Sequence, residues 1–408
     1  METKIFTNIS LLAGTGNKSE FIRGKNLAEL PVIENAYLVT ENDEIADFGE
    51  MKHYKGEKND VEPGTIILPA WCDSHSHLVF AGSREGEFID KINGLSYAEI
   101  AAKGGGILNS AEKLNNTSED ELFNQAWKRL TEVSKSGTGA IEIKSGYGLT
   151  VEGELKMLRV IKRLKEKSNL KIKATFLAAH TYPTKYKEDH KGYIDLIIQE
   201  MLPVIGREKL ADYIDVFCEK GFFSPEEMIT ICEAGKEYGL KSKIHVNQLN
   251  SIGGIEAGIE LNALSMDHLE TLTDRDIELL GKYEGAATLL PSAAFFLRMD
   301  MQPARKLINA NAAVTLASDY NPGSSPSGNM NFVIALSCIQ MKMLPEEAIN
   351  AATINGACAM EIQKKYGSIS TGKKANLIFT KPIPSLAYLP YSFGSNLVDK
   401  VMIKGSYI

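Results

Sequence analysis

Two histidines one residue apart, His75 and His77, follow an apolar run at residues 66–71 that reads as a buried strand. On an extended backbone, side chains i and i+2 point to the same face. Two imidazoles at that spacing can grip one metal ion. The polar stretch Asp73-Ser74-His75-Ser76-His77 is hard to explain as packing at the end of such a strand. A pair of turn or surface histidines is the alternative, and the motif alone leaves both open. The choice depends on whether the rest of the chain supplies further ligands.

Short apolar runs recur at residues 66–71, 140–143, 172–179, 213–218, 242–246, 263–266, 286–290 and 313–317. They lack strict alternation, as strands buried on both faces do. Polar residues gather directly after them. Lys144-Ser145-Gly146-Tyr147-Gly148 follows the second run, His180 the third and Glu219 the fourth. His245 lies in the fifth, with Gln248 just beyond; His268 follows the sixth; Asp319-Tyr320-Asn321-Pro322-Gly323-Ser324 follows the eighth. Five of the chain's 7 histidines therefore fall at one end of the runs; only His53 and His190 do not. Three histidines with a carboxylate suit a borderline divalent ion such as Zn²⁺ or Fe²⁺. Such an ion lowers the pKa of a bound water to about 7 and polarises a carbonyl. Asp319 beside it would accept the water's proton. The expected chemistry is metal-assisted hydrolysis.

The elements that must position these residues are strands alternating with helices. Ser118-Glu119-Asp120-Glu121 is a capping-box pattern opening a helix over 118–136, with Leu122, Ala126, Leu130 and Val133 at helical spacing and Gly137 as its stop. Ser224-Pro225-Glu226-Glu227 is a second start signal, with proline in the first helical position. Eight strands alternating with helices predict a (β/α)₈ barrel, whose chemistry sits at the carboxyl ends of the strands. Residues 1–64 read as short strands and turns, with a hairpin around Glu41-Asn42-Asp43-Glu44. An Ala-rich helix is expected over 345–360, and strands return at 375–379 and 398–403. The expected division is a barrel domain at 65–364 and a composite, β-sandwich-like domain at 1–64 with 365–408.

Composition narrows the function classes. With 44% hydrophobic residues the chain has material for a large core. The net charge is −7, and no stretch interleaves Lys and Arg with aromatics, so nucleic-acid binding has no support. Five scattered cysteines form no Cys-x-x-Cys pair, which favours a reduced, cytoplasmic compartment. The first residues lack a signal-peptide core, and no apolar stretch is long enough to span a membrane. Gly104-Gly105-Gly106 lacks the Lys-Ser/Thr of a phosphate loop and reads as a flexible segment over the pocket.

The order His-x-His on strand one, His on strands five and six, and Asp on strand eight resembles the amidohydrolase superfamily. Finer motifs resemble its imidazolonepropionase family: His75-Ser-His77-Leu-Val-Phe-Ala-Gly-Ser-Arg84-Glu-Gly-Glu-Phe, Glu142-Ile-Lys-Ser-Gly-Tyr147-Gly-Leu and Phe176-Leu-Ala-Ala-His180. Val216-Phe-Cys-Glu219, Asp267-His268-Leu-Glu and Ser318-Asp319-Tyr-Asn321-Pro-Gly323-Ser324 extend the match along almost the whole chain. The resemblance implies hydrolysis of 4-imidazolone-5-propanoate to N-formimidoyl-L-glutamate in histidine degradation, by a homodimer holding one Zn²⁺ or iron ion (Fe²⁺ or Fe³⁺). It implies His75, His77, His245 and Asp319 as metal ligands, and His268 on the attacking water or the carbonyl oxygen. His180 and Arg84 would hold the imidazolone ring; Arg84, seven residues past His77, also suits a substrate carboxylate. Tyr147 and the loop of Asn321, Gly323 and Ser324 would hold the propionate, partly through backbone N–H groups. The resemblance would also place Gln248, three residues past His245, at the substrate and catalytic centre; glutamine is no base, which leaves that role to Asp319 or His268. Ala70 and Asn376 depart from residues common in the superfamily, Gly and Asp. Cys218-Glu219-Lys220 is not the carboxylated-lysine pattern of two-metal relatives, so one metal is expected. Glu219 either supports the site from behind or pairs with Lys220. A nucleobase deaminase, a dihydroorotase-like enzyme or an inactive barrel scaffold remains open at this point.

Overall fold

The computed structural model describes residues 2–17, 19–95, 99, 103 and 105–408. Of the glycine triplet, Gly104 lies outside these, so the expected flexible segment falls partly outside the described residues. The chain begins with β1 (Thr3–Ala13), β2 (Val32–Glu41), β3 (Glu44–Glu50) and β4 (Ile66–Pro69). Strands β1, β2 and β3 form an antiparallel meander. The turn between β2 and β3 passes through Asn42 at φ 52°, a left-handed position that asparagine adopts readily. β4 lies parallel to β1.

The first apolar run divides at Ala70. Its first half is β4, a strand of the terminal sheet; its second half, β5 (Trp71–Asp73), is the first strand of the barrel. The barrel continues with β6 (Thr138–Lys144), β7 (Lys171–Ala179), β8 (Tyr213–Cys218), β9 (Lys241–Val246), β10 (Ser265–His268), β11 (Ala286–Leu289) and β12 (Ala313–Leu316). Each is parallel to the next. Parallel strands buried on both faces explain why the runs read as continuously apolar. The ring closes just beyond the ends of β5 and β12. There Ser76 and Tyr320 form a parallel bridge, His77 N–H donates to Tyr320 O at 2.9 Å and Asp319 N–H donates to His75 O at 3.0 Å.

Helices cover the outside. α1 (Glu85–Ile92) follows β5; α2 (Glu119–Lys135) starts at Ser118, whose hydroxyl accepts the Glu121 N–H at 3.2 Å. α2 buries Leu122, Ala126, Leu130 and Val133, the stripe expected from spacing. α3 (Val151–Lys167) follows β6, and α4 (Pro225–Lys236) carries the full Ser224–Glu227 capping box. The expected helix over 345–360 is helical throughout, with a wider turn at Ala351–Asn355.

The chain then returns to the first sheet with β13 (Leu377–Thr380), β14 (Val398–Ile403) and β15 (Ser406–Tyr407). β13 pairs with β4 antiparallel, giving a seven-stranded mixed sheet built from both ends of the chain. Phe6, Ile9, Leu12, Leu38, Ile67, Leu377, Phe379 and Met402 form its own core beside the large core of the barrel. Asn376 ties the two together: its amide donates to Gly139 O at 3.0 Å, and its carbonyl accepts Lys404 N–H at 2.8 Å. Among the described residues no helix is long and apolar enough to cross a membrane.

Candidate metal centre and substrate pocket

His75 and His77 leave the end of β5, His245 points inward from β9, and Asp319 follows β12. Their donor atoms converge. His75 Nε2 lies 3.3 Å from His77 Nε2, and His77 Nε2 lies 3.4 Å from His245 Nε2. Asp319 Oδ1 is 3.5 Å from both His75 Nε2 and His77 Nε2. All four side chains are buried. A tetrahedral ion with bonds of about 2.1 Å keeps its ligand atoms roughly 3.4 Å apart, so the spacing fits one ion. His75, His268 and Asp319 form a second group of overlapping membership in the same place.

The other ring nitrogens show which tautomers are present. His75 Nδ1 sits 2.6 Å from Asp267 Oδ2, and His245 Nδ1 sits 2.9 Å from Asp215 Oδ2. A carboxylate accepts only, so each Nδ1 carries the proton and each Nε2 presents a lone pair. Burial, and then nearby cationic groups led by Lys144, hold His75 well below the usual imidazole range. Burial does the same to His77 and His245. His75 and His245 thus aim lone pairs at His77 Nε2 from 3.3 and 3.4 Å, and all three nitrogens are placed to bond one cation. The residues present therefore fit a divalent metal ion.

The remaining expected residues gather around this point. His268 has φ 90°, which breaks the strand and lets consecutive residues Asp267 and His268 face the same site. Its Nδ1 is 3.3 Å from Glu270 Oε1, which Gln302 Nε2 also holds at 2.9 Å. Burial opposes protonation of His268, but Glu270, Asp319 and Asp267 together outweigh it and the imidazole is raised. Burial pushes the Asp319 carboxyl up to about 6. His180 stacks on His77 with centroids 5.3 Å apart, and its Nδ1 donates to Gly146 O at 3.1 Å. Tyr147 lies edge-on to both rings and is buried. The loop that carries it is held by Glu154, whose carboxylate accepts N–H groups of Gly146, Gly148 and Leu149 at 3.1, 2.7 and 3.0 Å.

Arg84 is the N-cap residue of α1. Its Nε and Nη2 donate to Glu87 Oε2 at 3.0 and 2.6 Å, and Glu87 Oε1 accepts Gly106 N–H at 2.9 Å. Arg84 also packs against Gly323, so that the arginine and the loop after β12 meet. In that loop Asn321 Oδ1 accepts the N–H groups of both Gly323 and Ser324 at 2.8 Å, so neither of these amides is left free for a ligand. Ser324 Oγ reaches Asp319 Oδ2 at 3.3 Å. A cavity of about 580 Å³ opens beside Arg84, with Phe88, Arg129, Tyr320 and Pro322 on its walls; it lies apart from the histidine cluster, none of whose members lines it. Gln248 is half-buried at the end of β9. Glu219 holds its loop: the carboxylate accepts Leu249 N–H at 2.8 Å, Asn250 N–H at 3.1 Å and Asn250 Nδ2 at 2.9 Å. Toward Lys220 it accepts only the backbone N–H, at 2.8 Å.

Sequence reasoning gave no role to the charges inside the barrel. Glu142, Lys144, Asp215, Lys243 and Asp267 are all buried and joined by ion pairs. Asp73 accepts from Ser318 Oγ at 2.6 Å and Ser318 N–H at 3.0 Å. One signal was available. Glu142 and Lys144, and Lys243 and His245, are i, i+2 pairs on strands, and in a barrel every second residue points inward.

The profile of the amidohydrolase family matches residues 66–408. An imidazolonepropionase from Flavobacterium johnsoniae is 60% identical over 390 residues, 95% of each chain. One from Christiangramia forsetii is 54% identical over 410 residues, 100% of each chain. Among solved structures, guanine deaminase from C. acetobutylicum with bound guanine superposes with a TM-score of 0.71 at 18% identity, covering 100% of both chains; that likeness shows the fold alone.

Proposed function

We infer the roles of the site from the premise that this chain belongs to the amidohydrolase family and, within it, to the imidazolonepropionases. It is a hydrolase of histidine degradation that opens the cyclic amide of 4-imidazolone-5-propanoate to N-formimidoyl-L-glutamate. His75, His77, His245 and Asp319 hold one divalent ion, zinc or iron. The observation that carries this reading is the convergence of three imidazole nitrogens and a carboxylate oxygen within 3.3–3.5 Å. When bound, the ion supplies a Lewis acid for the ring carbonyl.

The chain's own residues do the rest. Asp319 takes a proton from the attacking water as its oxygen bonds to the carbonyl carbon. The C–N bond then breaks and the departing nitrogen takes up that proton. His268, held by Glu270, hydrogen-bonds the carbonyl oxygen as charge gathers there. His180 and Gln248 orient the ring, and Arg84, set against the loop of Asn321, Gly323 and Ser324, receives the propionate with Tyr147. Because Arg84 is paired with Glu87 at 2.6 Å, the substrate carboxylate shares or replaces that partner. The chain works as a cytoplasmic homodimer on a small molecule; its five free cysteines suit a reducing compartment.

Metal analysis coupled to turnover of imidazolonepropionate tests the reading. Metal-loaded protein that leaves this compound untouched defeats it. Replacing Arg84 by Ala should raise KM by roughly a hundredfold, as expected when about 3 kcal/mol of charged hydrogen bonding is lost. An unchanged KM removes Arg84 from carboxylate recognition.

A further inference from the structure

The five charged side chains inside the barrel take no part in the steps above, yet their arrangement is specific. Lys144 points inward from the end of β6. Its Nζ lies 2.7 Å from Glu142 Oε1, 2.8 Å from Asp215 Oδ2 and 3.6 Å from Asp267 Oδ2. The last two oxygens are the same atoms that accept from His245 Nδ1 and His75 Nδ1, at 2.9 and 2.6 Å. One ammonium group therefore touches both carboxylates that orient two imidazoles from opposite parts of the barrel, β5 and β9. Lys243 does not share this position. It binds Ser74 O at 2.9 Å and the far oxygen of Glu142. Asp215 Oδ1 is also fixed, accepting the His245 backbone N–H at 3.1 Å.

Two His–Asp pairs acting alone would each rotate within their own freedom. A fully buried cation bonded to one carboxylate and close to the other removes that freedom, because any shift of either carboxylate moves it away from the ammonium group nearest to it, Lys243 acting on both from farther off. A carbamate on Nζ would add another anion among these carboxylates, so this lysine acts as a cation and not as a bridging ligand. We propose that Lys144 is a positioning residue for the metal centre: it ties Asp215 to Asp267 and so sets His75 and His245 to share one ion. The proposal rests on the ligand assignment made above.

The test uses the full chain, stripped of metal and titrated with Zn²⁺ and with Co²⁺. Affinity is read by chelator competition, ligand geometry from the visible Co²⁺ spectrum, and folding from the thermal midpoint of the metal-free protein. Lys144→Met should weaken Zn²⁺ binding ten- to a hundredfold, roughly the effect of removing a group that orients a ligand, and should shift the Co²⁺ spectrum. The Asp215→Asn/Asp267→Asn double variant should do the same. Adding Lys144→Met to that double variant should change affinity by less than threefold, since the tie is already gone. Native affinity and spectrum in Lys144→Met, or fully additive losses in the triple variant, overturn the proposal. If Lys144→Met alone does not fold, the triple variant, which keeps Glu142 and Lys243 as a balanced pair, is compared with the double variant by the same criterion. His75→Ala separates the two levels: native metal affinity there defeats the ligand assignment itself. Loss of metal there, with Lys144→Met unchanged, defeats only the role of Lys144.

Discussion

Asp319 joins three constraints in one residue: it faces two imidazoles, it closes the barrel through its N–H, and its backbone is left-handed at φ 52°. Asparagine tolerates that conformation where alanine is strained. Asp319→Asn keeps the N–H bond to His75 O and the carbonyl that accepts from Asn321 Nδ2. The variant is therefore expected to fold with an unchanged circular dichroism spectrum while kcat falls by about a thousandfold, the scale of a lost general base. A near-native rate would remove the carboxylate from the proton transfer. At this scale much of the site was legible in the sequence. His75, His77, His245, His268 and Asp319 stand at strand ends, where a barrel puts its chemistry. Glu142, Lys144 and Lys243 were not legible as a network: Glu142 and Lys144 stand two residues apart, but Lys243 and Asp215, which complete it, are far away in sequence. Lys243, for example, bonds Ser74 O, a partner that only the closed ring brings near.

Local sequence rules predicted the helices well and the loops poorly. Ser118 and Ser224 open helices because their caps are completed within four residues. The loop after β12 was expected to offer backbone N–H groups to a carboxylate, but Asn321 takes those of Gly323 and Ser324 for itself, as a short polar side chain in a turn does. What remains for the ligand is the meeting of this loop with Arg84. Gly323 has no left-handed backbone, so alanine is conformationally free there. Its added methyl group would fall inside the van der Waals shell of Arg84 Nη1, the mobile end of a long side chain. Gly323→Ala should thus leave the thermal midpoint nearly unchanged, within about 0.5 kcal/mol of stability, while moving the guanidinium. KM for the acidic substrate should rise several-fold or more with kcat little altered. A variant with native KM would show that Arg84 does not need its present position to receive the carboxylate.

At the scale of the whole molecule, the first apolar run was read as one strand and is two, because the residues on either side of Ala70 pair with different sheets. No local pattern marks that change, since Ile66, Ile67 and Leu68 on one side and Trp71 and Cys72 on the other are all buried and apolar. The division places the barrel's first strand at only three residues, Trp71–Asp73, and no strand ladder joins β5 to β12 among the described residues. The ring is closed instead by the Ser76–Tyr320 bridge and the hydrogen bonds of His77 and Asp319. The proposed metal ligands His75, His77 and Asp319 sit on both sides of this seam. An ion bound there links the first strand to the last, and removing it leaves three imidazole nitrogens and a carboxylate facing one another. A ligand that binds only the folded state stabilises it by about 4 kcal/mol at a thousand times its dissociation constant. Chelation should accordingly abolish turnover and lower the thermal midpoint. Amide hydrogen exchange locates the effect. Protection should fall most in peptides covering residues 75–77 and 318–321, and little in the β1–β2–β3 meander, which shares no ligand. Uniform loss of protection, or loss centred on the terminal sheet, would show that the ion does not close the ring.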